Sequence, residues 1–342
     1  MGLPVSVDGF SYLYQSAIAI GSIVYGTAGL WLGFLTASRF YPKTALAATI
    51  LIWFGTNVVY YMLLEPSMSH MCSLFAMSLF LYLWIQWRPV VERTHWLTLG
   101  LVGGLIAIVR QPDSTILILP VLDLVLRRGL SRTITSRFLD MVMLGTGFLA
   151  VFSIQMAAWW LLYGSPLVSG YFYDDSQRFF WTMPKIGEVL FSLHHGLFSW
   201  HPIYLFGTVG LLFLGKQNRS LAILCGLGFG LQVYVIGSWW AWWQGHSFGG
   251  RMFIGIVPIM MIGLSAFLDR ILDRKQRMYV WTAAGALLVW NMLFLLQYRL
   301  GFISMGDSIT WDEYTNGKLR MAGNLFHRLM RLFLSKVEEI NF

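Results

Sequence analysis

The sequence predicts an all-α polytopic membrane protein of about ten transmembrane or re-entrant helices, with a long external loop and a C-terminal interfacial amphipathic helix. Three observations carry that expectation. The 342 residues are 57% hydrophobic and only 12% charged, with a mean hydropathy of +0.62, more apolar surface than a water-soluble globule can hide. The apolar residues come in long runs broken by short polar linkers. The basic residues cluster in alternate linkers, so the formal charge of +8 reports membrane topology and not nucleic-acid binding, which we set aside as a function class.

With about 20 apolar residues needed to cross a bilayer, spans fall at 14–37, 44–64, 67–87, 95–110, 113–126, 138–163, 197–215, 220–243, 251–268 and 278–298. The pair 95–110 and 113–126 is short, and Arg110-Gln-Pro-Asp113 interrupts it, so it reads either as two spans or as a bent hairpin ending within the membrane. More than half of the 24 lysines and arginines lie in the linkers holding Arg39/Lys43, Arg88/Arg93, Arg127/Arg128/Arg132/Arg137, Lys216/Arg219 and Arg270/Arg274/Lys275/Arg277. The positive-inside rule puts those linkers in the cytoplasm.

The opposite linkers, 65–70, 164–196 and 238–251, then face outside and carry the aromatic and glycine-rich residues. Counting back places residues 1–13 outside with no signal peptide before them. One further helix upstream is therefore expected, with the sequence beginning inside an external loop. Residues 1–300 form one transmembrane domain. In the tail, 301–342, the stretch Asn316 to Lys336 puts Leu319, Ala322, Phe326, Leu329 and Phe333 on one helical face with Arg320, Arg328, Arg331 and Lys336 also present, the pattern of a helix lying on the external leaflet.

Ionisable groups at membrane depth are costly, so each is a candidate for function. Glu65 and His70 flank a proline in "EPSMSH" and suit a metal pair, a general base with its orienter, or contacts to phosphate and sugar; equally, they suit a solvated loop acid and a helix cap. Arg110 needs an anionic partner, either Asp113 or a lipid phosphate. Arg251 follows Gly249 and Gly250, whose missing side chains allow backbone N–H groups to approach an oxyanion, with His246 close by; the alternative is an arginine snorkelling at a span boundary.

Trp239, Trp240, Trp242 and Trp243 read as an interface belt or as stacking faces for a sugar or a prenyl chain. Asp174, Asp175, His194 and His195 of the long loop are substrate-contact candidates or solvated loop residues. Cys72 and Cys225 sit in unrelated apolar spans and support neither a disulfide nor a thiol metal site. No cofactor motif is evident: the sequence holds no Walker loop, nucleophile elbow, HExxH or CxxC, and a divalent metal stays open without a motif that supports it.

Taken in order, "YYMLLEPSMSH", "GLIAIVRQPDSTILILPVL", "GYFYDDSQRFFW", "HHGLFSWHP" and "WWAWWQGHSFGGRMFIGIVPIMM" resemble the bacterial membrane glycosyltransferases of the GT-C class, relatives of protein O-mannosyltransferases and of the lipid A aminoarabinose transferase. The likeness covers most of residues 10–300. It implies an inner-membrane enzyme with its active site on the periplasmic side, passing a sugar from a polyprenyl-phosphate donor to a lipid or cell-envelope glycan acceptor. Arg251, Arg110, His246, Gly249 and Gly250 would hold the donor phosphate. Glu65, His70, His195, Asp174, Asp175 and the four tryptophans would line the substrate site.

In that class the catalytic aspartate lies in the first external loop. This sequence starts near the end of such a loop, and Asp8 matches no motif that would carry the role over. A lipid-linked sugar flippase, or an inactive lipid-binding paralogue, is the rival reading. A transferase gathers its polar groups at one face, whereas a transport path needs them at both.

Overall fold

The computed structural model describes residues 9–89, 92–126, 134–168, 177–272 and 277–324. Among these the regular structure is all helix, with no strand and one isolated bridge between Phe179 and Trp239. The helices are α1 (Tyr12–Ser38), α2 (Ala45–Gly55), α3 (Val58–Leu63), α4 (His70–Trp87), α5 (Arg93–Val109), α6 (Ile118–Leu126) and α7 (Ile134–Tyr163). They continue as α8 (Ile186–Phe191), α9 (Leu197–Trp200), α10 (Ile203–Gln217), α11 (Arg219–Ser238), α12 (Val257–Leu272), α13 (Arg277–Arg299) and α14 (Trp311–Thr315), and 3-10 turns Gln111–Leu117 and Arg251–Ile256 lead into α6 and α12.

Among the described residues six helical segments are long and apolar enough to cross a membrane: Tyr12–Ser38, His70–Trp87, Thr135–Tyr163, Arg219–Ser238, Arg251–Leu272 and Arg277–Arg299. Ala45–Gly55, Arg93–Val109 and Ile203–Gln217 are shorter apolar helices. With Ile20, Leu161 and Leu212 among many large apolar side chains left on the outside, this is an integral membrane protein.

The core is centred on the segment Arg251–Leu272, whose apolar window is 89% buried, with α1, α2, α4 and α10 around it. At the other extreme α7, whose apolar window is 6% buried, packs chiefly on α5 among the described residues. The two approach backbone to backbone. A Cβ on Gly100 or Gly104 would run into α7, and one on Gly147 into α5, so dispersion over a flat glycine seam holds this pair.

The span expected at 44–64 is broken at Thr56–Asn57. In hydrocarbon a break must satisfy its own backbone. Asn291 of α13 donates both amide hydrogens, to the Phe54 carbonyl at 2.8 Å and the Thr56 carbonyl at 3.0 Å. Its Oδ1 then accepts from His201 Nδ1 at 3.0 Å, and the Tyr204 hydroxyl donates to Asn57 Oδ1 at 3.3 Å. The break is thus a built corner tying α2, α10 and α13 together.

Hydrogen bonds sort the linkers into two ends. At one end Arg88 grips Asp123 with two bonds, at 2.6 and 2.8 Å, and also donates to Ser220 at 2.6 Å and Asn218 at 3.3 Å, joining α4, α6 and the α10–α11 linker. Thr44 bonds to the Ser265 carbonyl on the same side of the bundle. This is the basic end. At the aromatic end the segments 64–69, 177–202, 239–256 and 300–318 meet one another.

Two expected boundaries shift. The span 220–243 ends as a helix at Ser238, leaving the tryptophans outside it, and the loop 164–196 contains α8. Of the tail helix, Lys318 and Met321 turn toward the bundle while Leu319 and Ala322 are exposed; Phe326, Leu329 and Phe333 lie outside the described residues.

Candidate functional site

The aromatic end is built on the loop that follows α11. Gln244 and Gly245 take positive φ, 70° and 67°, which turns the chain back on itself, and the Gln244 amide oxygen accepts from the Met252 N–H at 2.7 Å to close the loop. Gly249, with φ of 66°, packs its Cα against the His201 imidazole, leaving no space for a side chain. Gly250 lies near the His195 carbonyl and Phe253. Phe248 is fully buried between Tyr60, Trp200, His201, Phe294 and Tyr298, and its N–H donates to the Tyr61 hydroxyl at 3.0 Å. This rigid loop presents Arg251 and His246.

Arg251 is partly exposed and weakly engaged. One guanidinium nitrogen lies 3.4 Å from the His246 carbonyl and 3.9 Å from the Met68 sulfur, and no carboxylate pairs with it among the described residues. His246 itself is exposed, with its ring against Gly306.

Beneath them lies a buried polar group. Arg110 donates to the Met252 carbonyl at 3.0 Å and stands 3.7 Å from Asp113, which accepts from the Ser73 hydroxyl at 2.5 Å. His70, 6% exposed, packs edge-on against Tyr61 and lies within electrostatic reach of both Arg110 and Arg251. Arg110 Nη2, Asp113 Oδ1 and His70 Nδ1 are all buried without a hydrogen-bond partner among the described residues. Three such atoms together amount to unused capacity for a polar guest.

Glu65 accepts from the Ser67 hydroxyl at 3.0 Å and sits within electrostatic reach of Tyr60 and Tyr298. The aromatic wall continues through His194, whose ring stacks on Trp243, meets Trp242 edge-on and bonds to the Gly306 carbonyl at 2.8 Å. Trp239 and Trp240 both donate to Gln177 Oε1, at 3.1 and 3.3 Å, which commits their polar edges to the protein. Asp174 and Asp175 lie outside the described residues.

His195 adopts a positive φ of 62° and donates from Nδ1 to the Trp243 carbonyl at 2.7 Å. Burial lowers its imidazole to about 4, against the opposing pull of that carbonyl, so it is neutral at physiological pH.

Next to Arg251 runs a groove of about 530 Å³ between the first turns of α1 (Tyr14, Ile18, Tyr25) and the 66–72 segment, including Met68 and Cys72. Its lining is mostly apolar, with Ser22, Ser67 and Ser69 among it, and Met68 is shared between the groove and the Arg251 contact. The end therefore offers a guanidinium unpaired with any carboxylate among the described residues, one contact away from an apolar furrow through Met68, the complement of an anion that carries a hydrocarbon tail.

The structure brings Arg251, His246, Arg110 and His70 into one neighbourhood, with the first two at the surface and the last two below. Sequence reasoning passed over Ser73, Tyr61 and Tyr298, which carry no motif. Asp113 was visible only as a partner of Arg110. No group of three or more His, Cys, Asp or Glu suited to a metal occurs among the described residues. No family model matches the chain, and no curated protein matches it.

Proposed function

We propose that the chain is the membrane domain of a glycosyltransferase of the GT-C kind, taking a sugar from a polyprenyl-phosphate donor and passing it to an acceptor at the aromatic end. The observation that carries this reading is Arg251, a guanidinium without a carboxylate partner among the described residues, set beside the apolar groove of α1 and α4. A departing polyprenyl phosphate gathers negative charge at the membrane surface and keeps its chain in hydrocarbon, and a guanidinium at a groove mouth answers both demands.

Ten helical passes fit this reading. The six long segments are joined by α2 with α3, by α5, by the 3-10 turn with α6, and by α9 with α10. The basic end is then cytoplasmic and the aromatic end periplasmic. The rival, a carrier, needs polar groups strung along a path. The mid-bundle groups His201, Asn291, Asn57 and Tyr204 are instead bonded to one another and to the Thr56 corner. Deprotonation of the acceptor hydroxyl by a carboxylate is assigned to no residue of this chain.

Sugar transfer from a labelled polyprenyl-phosphate donor, in membranes at matched expression, tests the proposal. Arg251→Ala is expected to lose roughly 30- to 1000-fold in rate, as removal of an oxyanion donor does. Arg251→Lys should be a poor substitute, because it keeps the charge and loses the planar fork. Full activity in the lysine variant would leave Arg251 a membrane anchor, and no transfer by the wild type would remove the enzymatic reading.

A further inference from the structure

The basic end holds a second cavity unrelated to the aromatic site. About 310 Å³ of space lies between α2, α10, α12 and α13, lined by Phe206, Leu264, Phe267, Ile271, Val280 and Ala283 among other apolar side chains. It is shaped as a wedge. At mid-depth Ile203 and Leu288 both close on Gly55, which joins α10, α13 and α2 at one level. From there the lining runs between α12 and α13 to Ile271 and Tyr279, close to the basic ends of both helices.

Two arginines stand at that opening. Arg270 follows Phe267 by three residues and Arg277 precedes Val280 by three, so each shares a helical face with a residue lining the wedge. Both are exposed, and neither has a carboxylate partner among the described residues. Asp269, the neighbouring acid, lies within electrostatic reach of Tyr41 in the α1–α2 linker. Tyr279, 70% exposed, stands at the same level, where tyrosine favours the headgroup region.

We propose that this wedge is a binding site for one anionic phospholipid of the leaflet at the basic end, its acyl chain filling the space between α12 and α13 and its phosphate held by Arg270 and Arg277. An apolar crevice opening within a leaflet is filled by the chains of that leaflet, and the two guanidiniums select among headgroups by charge. The proposal rests on the membrane character of the chain and not on the reaction proposed for the aromatic end.

The test uses the full chain reconstituted into nanodiscs of phosphatidylcholine with a minor share of phosphatidylglycerol, then extracted in mild detergent, with the co-purifying lipid quantified by mass spectrometry. Phosphatidylglycerol should be enriched over its supplied share by roughly fivefold for each arginine, the equivalent of about 1 kcal/mol per basic group. Arg270→Gln/Arg277→Gln should abolish the enrichment, and Ala283→Phe, which fills the wedge from an exposed position on α13, should reduce all lipid retained. Arg39→Gln/Lys43→Gln removes as much charge from the same end and should leave the enrichment intact. Retained lipid that mirrors the supplied mixture overturns the proposal, as does an equal loss in the Arg39/Lys43 variant or retention unaffected by Ala283→Phe.

Discussion

Arg251 and Lys318 are cations at the same end of the bundle, held in opposite ways. Among the described residues Arg251 donates hydrogen bonds only to a carbonyl and a thioether. Lys318, 3% exposed, places its ammonium 3.9 Å from the Trp290 ring centre, 4.1 Å from that of Phe294 and 4.9 Å from that of Tyr314, and donates to the Tyr314 carbonyl at 2.6 Å. Burial lowers its amine to about 8, while the ring faces favour the charged form.

The position of His195 gives a pH prediction. Its imidazole titrates near 4 in the fold against 6.5 when unfolded, so the unfolded chain binds the extra proton between those values. Its contribution to stability is complete above pH 6.5 and is lost as the pH falls toward 4, at most about 3 kcal/mol. Thermal melting in detergent across that range should show the acid loss in the wild type and a shallower one in His195→Gln.

Gly249→Ala should destabilise by about 2–4 kcal/mol, since it adds a left-handed residue and forces the His201 contact apart. The same melting measurement reads it, and a change below about 0.5 kcal/mol would mean that His201 moves aside freely.

At the scale of elements, the corner at Thr56 and the Arg88 clamp hold helices together by polar groups, whereas α5 and α7 approach one another through glycines. Arg88→Ala leaves Asp123 buried without its guanidinium and should cost about 3–5 kcal/mol. Because both groups are at the basic end, the aromatic site should be slow to register the loss. Gly100→Leu should act differently, pushing α7 off α5 with little effect on the centre. Amide exchange should then rise in α7 while α12 stays protected, and equal loosening of both would show that α7 is more deeply integrated than its burial suggests.

Helix positions were legible because long apolar runs between basic clusters admit few alternatives. The corner was not, since "FGTNVVYY" is apolar on either side of two small polar residues, and only the distant Asn291 makes a break there affordable. The site was half legible: Arg251 and His246 announced themselves as polar groups beside tryptophans. Ser73, Tyr61 and Tyr298 acquire their roles only when α3, α4 and α13 meet.

For the whole molecule, the division into a basic and an aromatic end predicts which positions an impermeant thiol reagent reaches in intact cells, in a background without Cys72 and Cys225. His246→Cys and Lys185→Cys should label from outside, and Arg219→Cys and Arg270→Cys only after permeabilisation. The reverse pattern would invert the topology and move the proposed reaction to the cytoplasm.

The strap formed by residues 300–318 has a consequence for how the protein is made. The loop carrying Arg251 is pinned from above by residues that come much later in the chain: the Met305 carbonyl accepts from the Ser247 N–H at 3.2 Å, Gly306 meets His246, and the Tyr314 hydroxyl reaches back to the Ser199 carbonyl at 2.6 Å. A ribosome moving at about 5–20 residues per second emits Met305 several seconds after Ser247. Throughout that interval the loop lacks these contacts at the membrane surface while α12 and α13 are inserted. Synthesis itself thus imposes an order, in which the bundle is complete before its mouth is shaped, and a nascent chain arrested before Met305 would hold Arg251 without the strap that frames it.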